Sequence, residues 1–296
     1  MATFVARGCF TALVTPFLAD GSAIDWAAYE KLLENQIAGG VKGLVPCGTT
    51  GEAPTLSDAE QRELFQRAVR IAHGRAAVVP GTGSNSTKKT IEATLAAFEA
   101  GADGAMIVMP YYNKPSQEGL RAHVELVAKA VPGPLMLYNI PGRTAVDLHV
   151  DTLARILDAC PNVVALKDAT NGVQYCQQAS KFGDRLSILC GDDALTVPMM
   201  SVGAAGVVSV TSNVYPRAVS SVVDHMLGGR VAEAREEHFR LLPVHHAMFV
   251  EPNPAPVKAA LAARRLATEA VRPPLVAASP GARERVREAM TLFEGR

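Results

Sequence analysis

The chain has 296 residues, of which 48% are hydrophobic and 20% are charged, a composition typical of a folded protein with a large core. Lys plus Arg and Asp plus Glu each number 29, so no net field attracts nucleic acid or an anionic membrane surface. The apolar run near the amino terminus is interrupted by Pro16 and is far too short to span a bilayer. We therefore expect a cytoplasmic protein whose partner is a small molecule or another protein chain.

Five cysteines are spread widely along the chain, with no Cys-x-x-Cys pair. They are Cys9, Cys47, Cys160, Cys176 and Cys190. An odd number without paired spacing argues against a disulfide framework, a zinc site and a redox motif. We expect small buried thiols in a reducing compartment.

Short β-branched runs alternate with segments of helical periodicity over the first three quarters of the chain. The predicted strands are Gly8–Phe17, Lys42–Cys47, Ala76–Gly81, Gly104–Pro110, Pro134–Ile140, Val163–Asp168, Leu186–Gly191 and Gly206–Thr211. The helical patterns are Asp25–Ala38, Ser57–His73, Ser86–Ala100, Ser116–Val131, His149–Ala159, Gly172–Phe182, Ala194–Val202 and Pro216–Leu227. Eight strand-helix units favour an α/β fold of the closed (β/α)8 TIM barrel type. A doubly wound open sheet is the second possibility, because periodicity alone does not show closure.

The strand pattern stops beyond Gly229. The rest of the chain has three helical patterns, at Val231–Phe249, Pro256–Leu266 and Pro280–Phe293. Three helices alone bury too little apolar surface to form a stable core. We therefore expect residues 1–229 to form the barrel with the active site, and residues 230–296 to form a three-helix extension packed against it.

Lys167 is the best single candidate for chemistry, because reactive groups in this fold lie at the C-terminal ends of strands. It ends an apolar run, and strand alternation places Val163, Ala165 and Lys167 on one face. If that face lines the barrel, the amine lies in a confined mouth suited to a Schiff base with a keto substrate. The alternative is a lysine that clears the strand end and pairs with Asp168 or a loop carboxylate, and position alone does not separate the two.

A glycine-rich turn, Gly48-Thr49-Thr50-Gly51-Glu52, follows the second strand and precedes a helix. Its backbone N–H groups and two hydroxyls could bind an anion. It lacks the lysine of a phosphate-binding loop, so a carboxylate is the more natural guest. A tight bend with no ligand is the alternative.

Tyr138 and Arg143 follow the fifth strand closely. A phenol can relay protons, and a guanidinium can hold a carboxylate through two hydrogen bonds. A structural tyrosine and an arginine in a surface ion pair are the alternatives, and the pair Tyr111-Tyr112 fits packing or an interface equally well. The seven histidines show no metal-ligand spacing, so we expect no metal site.

Taken together and in order, these strand ends resemble the pyruvate-dependent class I aldolase family that contains dihydrodipicolinate synthase (4-hydroxy-tetrahydrodipicolinate synthase) and N-acetylneuraminate lyase. The match extends from Thr15-Pro16 to the segment Glu251–Lys258. It implies a (β/α)8 barrel with a C-terminal helical region, commonly a homotetramer built as a dimer of tight dimers. Thr49 in the glycine-rich turn, and Arg143 at its spacing from Tyr138, favour the synthase branch over the lyase branch.

The resemblance implies a catalytic role for four residues. Lys167 is similar to the lysine that condenses with the pyruvate carbonyl. Tyr138 matches the tyrosine that shuttles protons and orients the second substrate. It is linked through Thr49 to Tyr112, which this family typically inserts from the adjacent subunit.

Four further residues match substrate-binding positions. Thr50, with its backbone N–H, corresponds to the group that holds the pyruvate carboxylate, and Arg143 to the arginine that binds the carboxylate of L-aspartate 4-semialdehyde. Gly191 and Val208 correspond to backbone positions that line the pocket. The chemistry implied by the resemblance needs no metal and no diffusible cofactor.

One departure from the family concerns regulation. Where lysine-inhibited members carry two histidines and a glutamate, this chain has Asp58, Gln61 and Lys89. The ammonium of Lys89 would repel the cationic amine of the effector. We therefore expect weak or absent lysine feedback.

Two other functions stay open at the level of sequence. One is another pyruvate aldolase of the same family that acts on a sugar acid with the same Lys167 chemistry. The other is a catalytically silent barrel that binds a keto acid. The silent barrel is disfavoured by the presence together of Thr49, Tyr112, Tyr138, Arg143 and Lys167.

Overall fold

A computed structural model describes residues 4–295 of the chain. It contains eight parallel strands: β1 (Gly8–Ala12), β2 (Gly43–Val45), β3 (Ala77–Val78), β4 (Ala105–Val108), β5 (Leu135–Asn139), β6 (Val163–Asp168), β7 (Ser187–Cys190) and β8 (Gly206–Ser209). The hydrogen-bonded order of the strands is β3-β2-β1-β8-β7-β6-β5-β4, so β8 pairs with β1 and every chain neighbour pairs except β3 and β4. All eight predicted strands are confirmed, although most are shorter than the apolar runs that predicted them.

The sheet closes on itself between β3 and β4. Gly81, just beyond β3, forms a parallel bridge with Met106 of β4. The Met106 N–H donates to Pro80 O at 2.8 Å, and the Thr82 N–H donates to Met106 O at 2.9 Å. The closed barrel is therefore confirmed over the open, doubly wound sheet.

Helices cover the outside of the barrel, and three more follow it. They are α1 (Trp26–Ala38), α2 (Asp58–Ala72), α3 (Thr87–Glu99), α4 (Gln117–Ala130), α5 (Pro141–Thr144), α6 (Val150–Ala159), α7 (Gln174–Ala179), α8 (Thr196–Ser201), α9 (Pro216–Leu227), α10 (Val231–Ala247), α11 (Ala255–Ala263) and α12 (Pro280–Glu294). The short helix α5 lies in the stretch that follows the fifth strand, which the periodicity did not predict as helical.

The helix starts depend on local capping. Ser57 precedes α2, and its hydroxyl accepts from the Glu60 N–H at 3.2 Å while the Glu60 carboxylate accepts from the Ser57 N–H at 2.8 Å. Ser116 caps α4 in a similar way by accepting from the Gly119 N–H. These contacts satisfy amide groups that a helix leaves open at its first turn.

The interior of the barrel is a separate apolar cluster, distinct from the layer between strands and helices. It includes Phe10, Val45, Met106, Met136, Tyr138, Ala165, Leu189 and Val208. Ala165 belongs to this interior cluster, whereas Leu166 belongs to the outer layer, as strand alternation predicts. Val163 also lies in the outer layer, because the register between β5 and β6 shifts there and pairs Met136 with Ala165. The prediction that Val163 shares the face of Lys167 is therefore wrong.

The three C-terminal helices pack against the outside of the barrel. The ring of Tyr215, which precedes α9, lies 4.7 Å from the ring of Phe293 in α12. Its hydroxyl donates to Glu294 at 2.8 Å, and the Arg264 guanidinium lies 4.8 Å over the same ring. The extension is present as predicted, and the domain division at residues 229 and 230 stays a prediction.

All five cysteines are buried and free of disulfide bonds. Burial raises the pKa of the Cys9 thiol to about 12 and raises the pKa of the Cys47 thiol further. The prediction of buried thiols is confirmed. Within residues 4–295, no helix is long and apolar enough to cross a membrane, and the cytoplasmic location stays a prediction.

Acid pH is expected to destabilise the fold through His123 in α4. The Nδ1 atom lies 2.9 Å from the Thr87 hydroxyl, while the buried Nε2 atom has no hydrogen-bond partner among the described residues. Burial lowers the pKa of His123 to about 4 from the ordinary 6.5. The unfolded chain therefore binds more protons between these two values. The contribution of the neutral His123 ring to the free energy of unfolding is complete above about pH 6.5 and is lost as the pH falls towards 4.

Replacing His123 by phenylalanine should flatten that dependence by about 1.4 kcal/mol per pH unit between pH 4.5 and 6. Urea unfolding of the wild type and the variant at several pH values measures the slope. The exposed His149, replaced in the same way, is the control. Equal slopes for the wild type and His123→Phe would contradict the expectation.

Candidate active site

Lys167 lies at the C-terminal end of β6, in register beside Tyr138 of β5. It is 5% exposed, and its ammonium nitrogen lies 4.1 Å from the centroid of the Tyr138 ring. Across residues 4–295, no carboxylate lies within 4.0 Å of that nitrogen. Asp168 instead accepts from the N–H and hydroxyl of Thr170, at 3.0 and 2.8 Å. The alternative of a Lys167–Asp168 ion pair is therefore wrong, and the amine is buried against an aromatic face with no carboxylate at ion-pair distance.

The turn Gly48–Glu52 follows β2 and is held by its own hydrogen bonds. The Gly51 N–H donates to Gly48 O and the Glu52 N–H donates to Thr49 O, each at 3.1 Å. The Thr15 hydroxyl donates to Gly51 O at 2.7 Å. A Cβ at Gly51 would lie 3.0 Å from the Cys47 nitrogen, so close approach of backbones explains the glycine. The N–H groups of Thr49 and Thr50 take no part in this pattern.

A cavity of about 720 Å³ opens above the strand ends. Thr49, Tyr138 and Arg143 all line it, so the structure brings these three predicted residues together. Lys167 contacts the Tyr138 ring but is not itself one of the lining residues. Arg143 is exposed in α5, with one guanidinium nitrogen 3.5 Å from Asn253 O. An exposed cation that lines a cavity is placed to meet an anionic substrate.

Gly191 and Val208 are not among the residues that line the cavity. The Gly191 N–H donates to Asp168 O at 2.7 Å, and a Cβ at this position would lie 3.2 Å from the Lys167 Cε atom and 2.7 Å from the Ala169 Cβ atom. Val208 is fully buried in the barrel interior. Gly191 therefore leaves the room that the Lys167 side chain occupies, while Val208 contributes to the floor of the barrel.

Tyr112 has a left-handed backbone conformation with φ of 71° and is 88% exposed. It makes no hydrogen bond among the described residues, and the neighbouring Tyr111, not Tyr112, lines the cavity. A positive φ is strained for a tyrosine. In this single chain, Tyr112 is therefore presented outward and is not assembled with Thr49 and Tyr138.

Three polar residues near the site were not assigned a role from the sequence. Asn253 donates through Nδ2 to the Thr50 hydroxyl at 2.9 Å, and Glu52 bonds the C-terminal extension. Asp193 accepts from the Val210 and Thr211 N–H groups, at 2.8 and 3.3 Å. Burial raises the pKa of Asp193, which its hydrogen bonds and the nearby Lys167 charge oppose. All three residues stand in segments that the sequence singled out. Their roles were missed because their hydrogen-bond partners are distant in sequence.

The cavity also extends into the gap between α2 and α3. Asp58, Gln61 and Lys89, the residues noted for regulation, line this part together. Among residues 4–295, no cluster of three or more His, Cys, Asp or Glu side chains could hold a metal ion. This part of the cavity carries charges of both signs, since Asp58 contributes a carboxylate and Lys89 contributes an ammonium group.

A closed (β/α)8 barrel with a buried, unpaired lysine at the end of its sixth strand defines the class. These are the lyases of the class I aldolase type, in which a lysine amine forms a Schiff base with a carbonyl substrate.

Within this class, the chain belongs to the dihydrodipicolinate synthetase family, whose family model matches residues 5–292. It is 59% identical over 297 aligned residues to the 4-hydroxy-tetrahydrodipicolinate synthase of Sorangium cellulosum, covering 100% of this chain and 99% of the relative.

Solved structures agree. The 4-hydroxy-tetrahydrodipicolinate synthase of Methylacidiphilum fumariolicum SolV matches with a TM-score of 0.95 at 43% identity, over 98% of this chain and 97% of that one. The chloride-inhibited dihydrodipicolinate synthase of Acinetobacter baumannii, solved in complex with pyruvate, matches with a TM-score of 0.95 at 40% identity, over 98% and 99%. The predicted family and the predicted synthase branch are confirmed.

Proposed function

We propose that the chain condenses pyruvate with L-aspartate 4-semialdehyde to give 4-hydroxy-tetrahydrodipicolinate, the reaction that opens the lysine and diaminopimelate branch. The observation that carries the proposal is the Lys167 amine, buried beside the Tyr138 ring with no carboxylate partner in the described chain. Sugar-acid aldolases share that chemistry. The synthase names of the relatives favour aspartate semialdehyde as the second substrate.

The Lys167 amine adds to the C2 carbonyl of pyruvate, and water leaves to form an iminium. The iminium withdraws electrons, so the methyl group loses a proton and becomes an enamine carbon. That carbon attacks the aldehyde of the semialdehyde, whose oxygen takes up a proton. This attack restores the iminium at Lys167. The amino group of the semialdehyde, after losing a proton, then attacks the iminium carbon and closes the ring, and the bond from that carbon to the Lys167 nitrogen breaks to release the amine.

Proton transfer is assigned to Tyr138, whose ring contacts the amine, with Thr49 beside it in the cavity. We assign Tyr112 to the same relay in a neighbouring subunit of a homotetramer built from tight dimers. Its exposure and strained backbone in one chain support that placement, because a large outward aromatic residue gains stability when a partner covers it.

Substrate carboxylates are assigned to two places. Thr50 and the N–H groups of Thr49 and Thr50 suit the carboxylate of pyruvate, and we assign Gly191 and Val208 to the same pocket. Arg143 suits the carboxylate of the semialdehyde, since it is an exposed cation that lines the cavity together with Tyr138 and Thr49.

Borohydride reduction in the presence of pyruvate tests the proposal. Reduction should trap the iminium, and peptide mass analysis should locate the adduct at Lys167. Turnover is then compared between aspartate semialdehyde and sugar aldehydes. An adduct at another lysine would refute the mechanism, and turnover with sugar aldehydes alone would make the chain a sugar-acid aldolase.

Replacing Arg143 by alanine should lower kcat/KM for aspartate semialdehyde by about 10- to 100-fold, since a charge-assisted carboxylate contact contributes about 1.5–3 kcal/mol. The rate of pyruvate trapping should change little, because the adduct forms before the aldehyde binds. Arg185→Ala removes an exposed arginine paired with Asp158 and serves as the control. Equal losses in trapping and in aldehyde use would remove Arg143 from this role.

Lysine is expected to inhibit the enzyme weakly or not at all. A second ammonium close to Lys89 costs about 1 kcal/mol or more in a polar cavity. A lysine titration of activity, together with calorimetry, measures the effect. The Lys89→Glu variant is measured for comparison and should bind lysine more tightly, because a carboxylate replaces the repelling ammonium group. Strong inhibition of the wild type by lysine would contradict the expectation.

A further inference from the structure

Lys258 in α11 is a buried cation that the proposed reaction does not use. Its side chain is 0% exposed. The ammonium donates to the Glu52 carboxylate and, at 2.7 Å, to Ala270 O, and it lies 4.1 Å from the centroid of the Phe17 ring. Burial lowers the pKa of Lys258 to about 8, which the Glu52 charge opposes.

Glu52 ends the turn Gly48–Glu52. Its backbone is left-handed, with φ of 57°, a conformation that is strained for a glutamate. Its N–H closes the turn on Thr49 O at 3.1 Å. One carboxylate oxygen accepts from Lys258, and the other accepts from the Arg272 N–H at 2.9 Å. The side chain therefore fixes the backbone that shapes the turn.

Stability alone gives a poor reason for this pair. Burying two charges removes their hydration, and apolar replacements of similar size are often neutral or stabilising. The pair instead joins residues 206 positions apart, linking the C-terminal extension to the turn. Asn253 gives the extension a second contact, through the Thr50 hydroxyl at 2.9 Å.

We propose that Lys258 is a positioning residue that acts through Glu52: the buried pair holds the Thr49–Thr50 turn in the geometry that receives the pyruvate carboxylate. The C-terminal extension thereby sets the affinity of the barrel for its first substrate. This inference rests on the proposed function, since it assigns the turn to pyruvate.

The test compares steady-state kinetics of the wild type with Glu52→Gln and with the double variant Glu52→Gln/Lys258→Met, which leaves no unpaired buried charge. The double variant should raise the KM for pyruvate about tenfold or more, with kcat and the KM for the aldehyde changed less than about threefold. The Glu52→Gln variant keeps the shape but has one accepting oxygen in place of two, so it retains one of the two hydrogen bonds and should show a smaller rise in the same constant. Arg283→Met, which breaks an exposed pair of the extension with Glu269, is the matched control and should match the wild type.

Circular dichroism establishes which variants fold. If the double variant does not fold, the KM of Glu52→Gln for pyruvate is the deciding measurement. A pyruvate KM within twofold of the wild type in the folded variants would overturn the inference. So would equal losses for both substrates, which would indicate general destabilisation. Borohydride trapping of wild-type enzyme separates the two proposals, because it reports the Lys167 adduct whatever the variants do.

Discussion

Replacing Lys167 by alanine is expected to lower kcat by at least about 10³-fold and to abolish borohydride trapping of pyruvate. No other described lysine lies over the Tyr138 ring at the C-terminal end of the barrel. Without the amine, the substrate methyl group has no iminium to accept its electrons. The variant should fold, because it removes a buried amine that has no ion-pair partner.

Lys88→Ala is the matched control. Lys88 is exposed on α3 in a surface pair with Glu92, and such pairs contribute little to stability. Kinetics, peptide mass analysis after trapping and circular dichroism are measured on both variants. Residual trapping in Lys167→Ala, or activity within about tenfold of the wild type, would place the reacting amine elsewhere.

Gly191→Ala should have the second largest effect. The added Cβ would lie 2.7 Å from the Ala169 Cβ atom, 3.0 Å from Asp168 O and 3.2 Å from the Lys167 Cε atom. The backbone oxygen has little freedom to move, so part of the strain must pass to the lysine side chain. A reacting group displaced by about 1 Å can lose about 10²-fold in rate, and we expect a loss of that size in the trapping rate.

The control for this substitution is Gly281→Ala in α12, where the nearest atom to the new Cβ is the Ser279 hydroxyl at 3.9 Å. Overpacking by one methyl group also costs about 1–3 kcal/mol of stability, so thermal unfolding is measured alongside trapping. If borohydride traps pyruvate on Gly191→Ala at the wild-type rate, the backbone at Gly191 does not restrict the position of the Lys167 side chain.

The barrel could be predicted because its evidence is local. Each strand is an apolar run and each helix has its own periodicity, so the order of elements follows without knowledge of distant contacts. The position of Ala165 inside the barrel followed from alternation in the same way. The position of Val163 did not, since the register shift beside Leu135 and Met136 depends on two strands together.

The site was predicted in part for the same reason. Lys167 and Tyr138 stand at strand ends, where the fold concentrates chemistry, and motif order supplied the family. No spacing rule connects Glu52 to Lys258 or Thr50 to Asn253, since these contacts form only when the extension folds over the barrel. The roles of Thr49 and Tyr112 stay predictions, and the Arg143→Ala variant tests the role of Arg143.

The five buried cysteines can report local and global unfolding of the protein through their reaction with an alkylating reagent. A thiol reacts as the thiolate, and burial suppresses that form, so alkylation is expected to wait for local or global unfolding. Cys9 lies in β1, Cys190 in β7 and Cys176 in α7, so each reports a different part of the fold. Timed labelling, followed by peptide mass analysis, would give the order in which the barrel comes apart without any introduced probe.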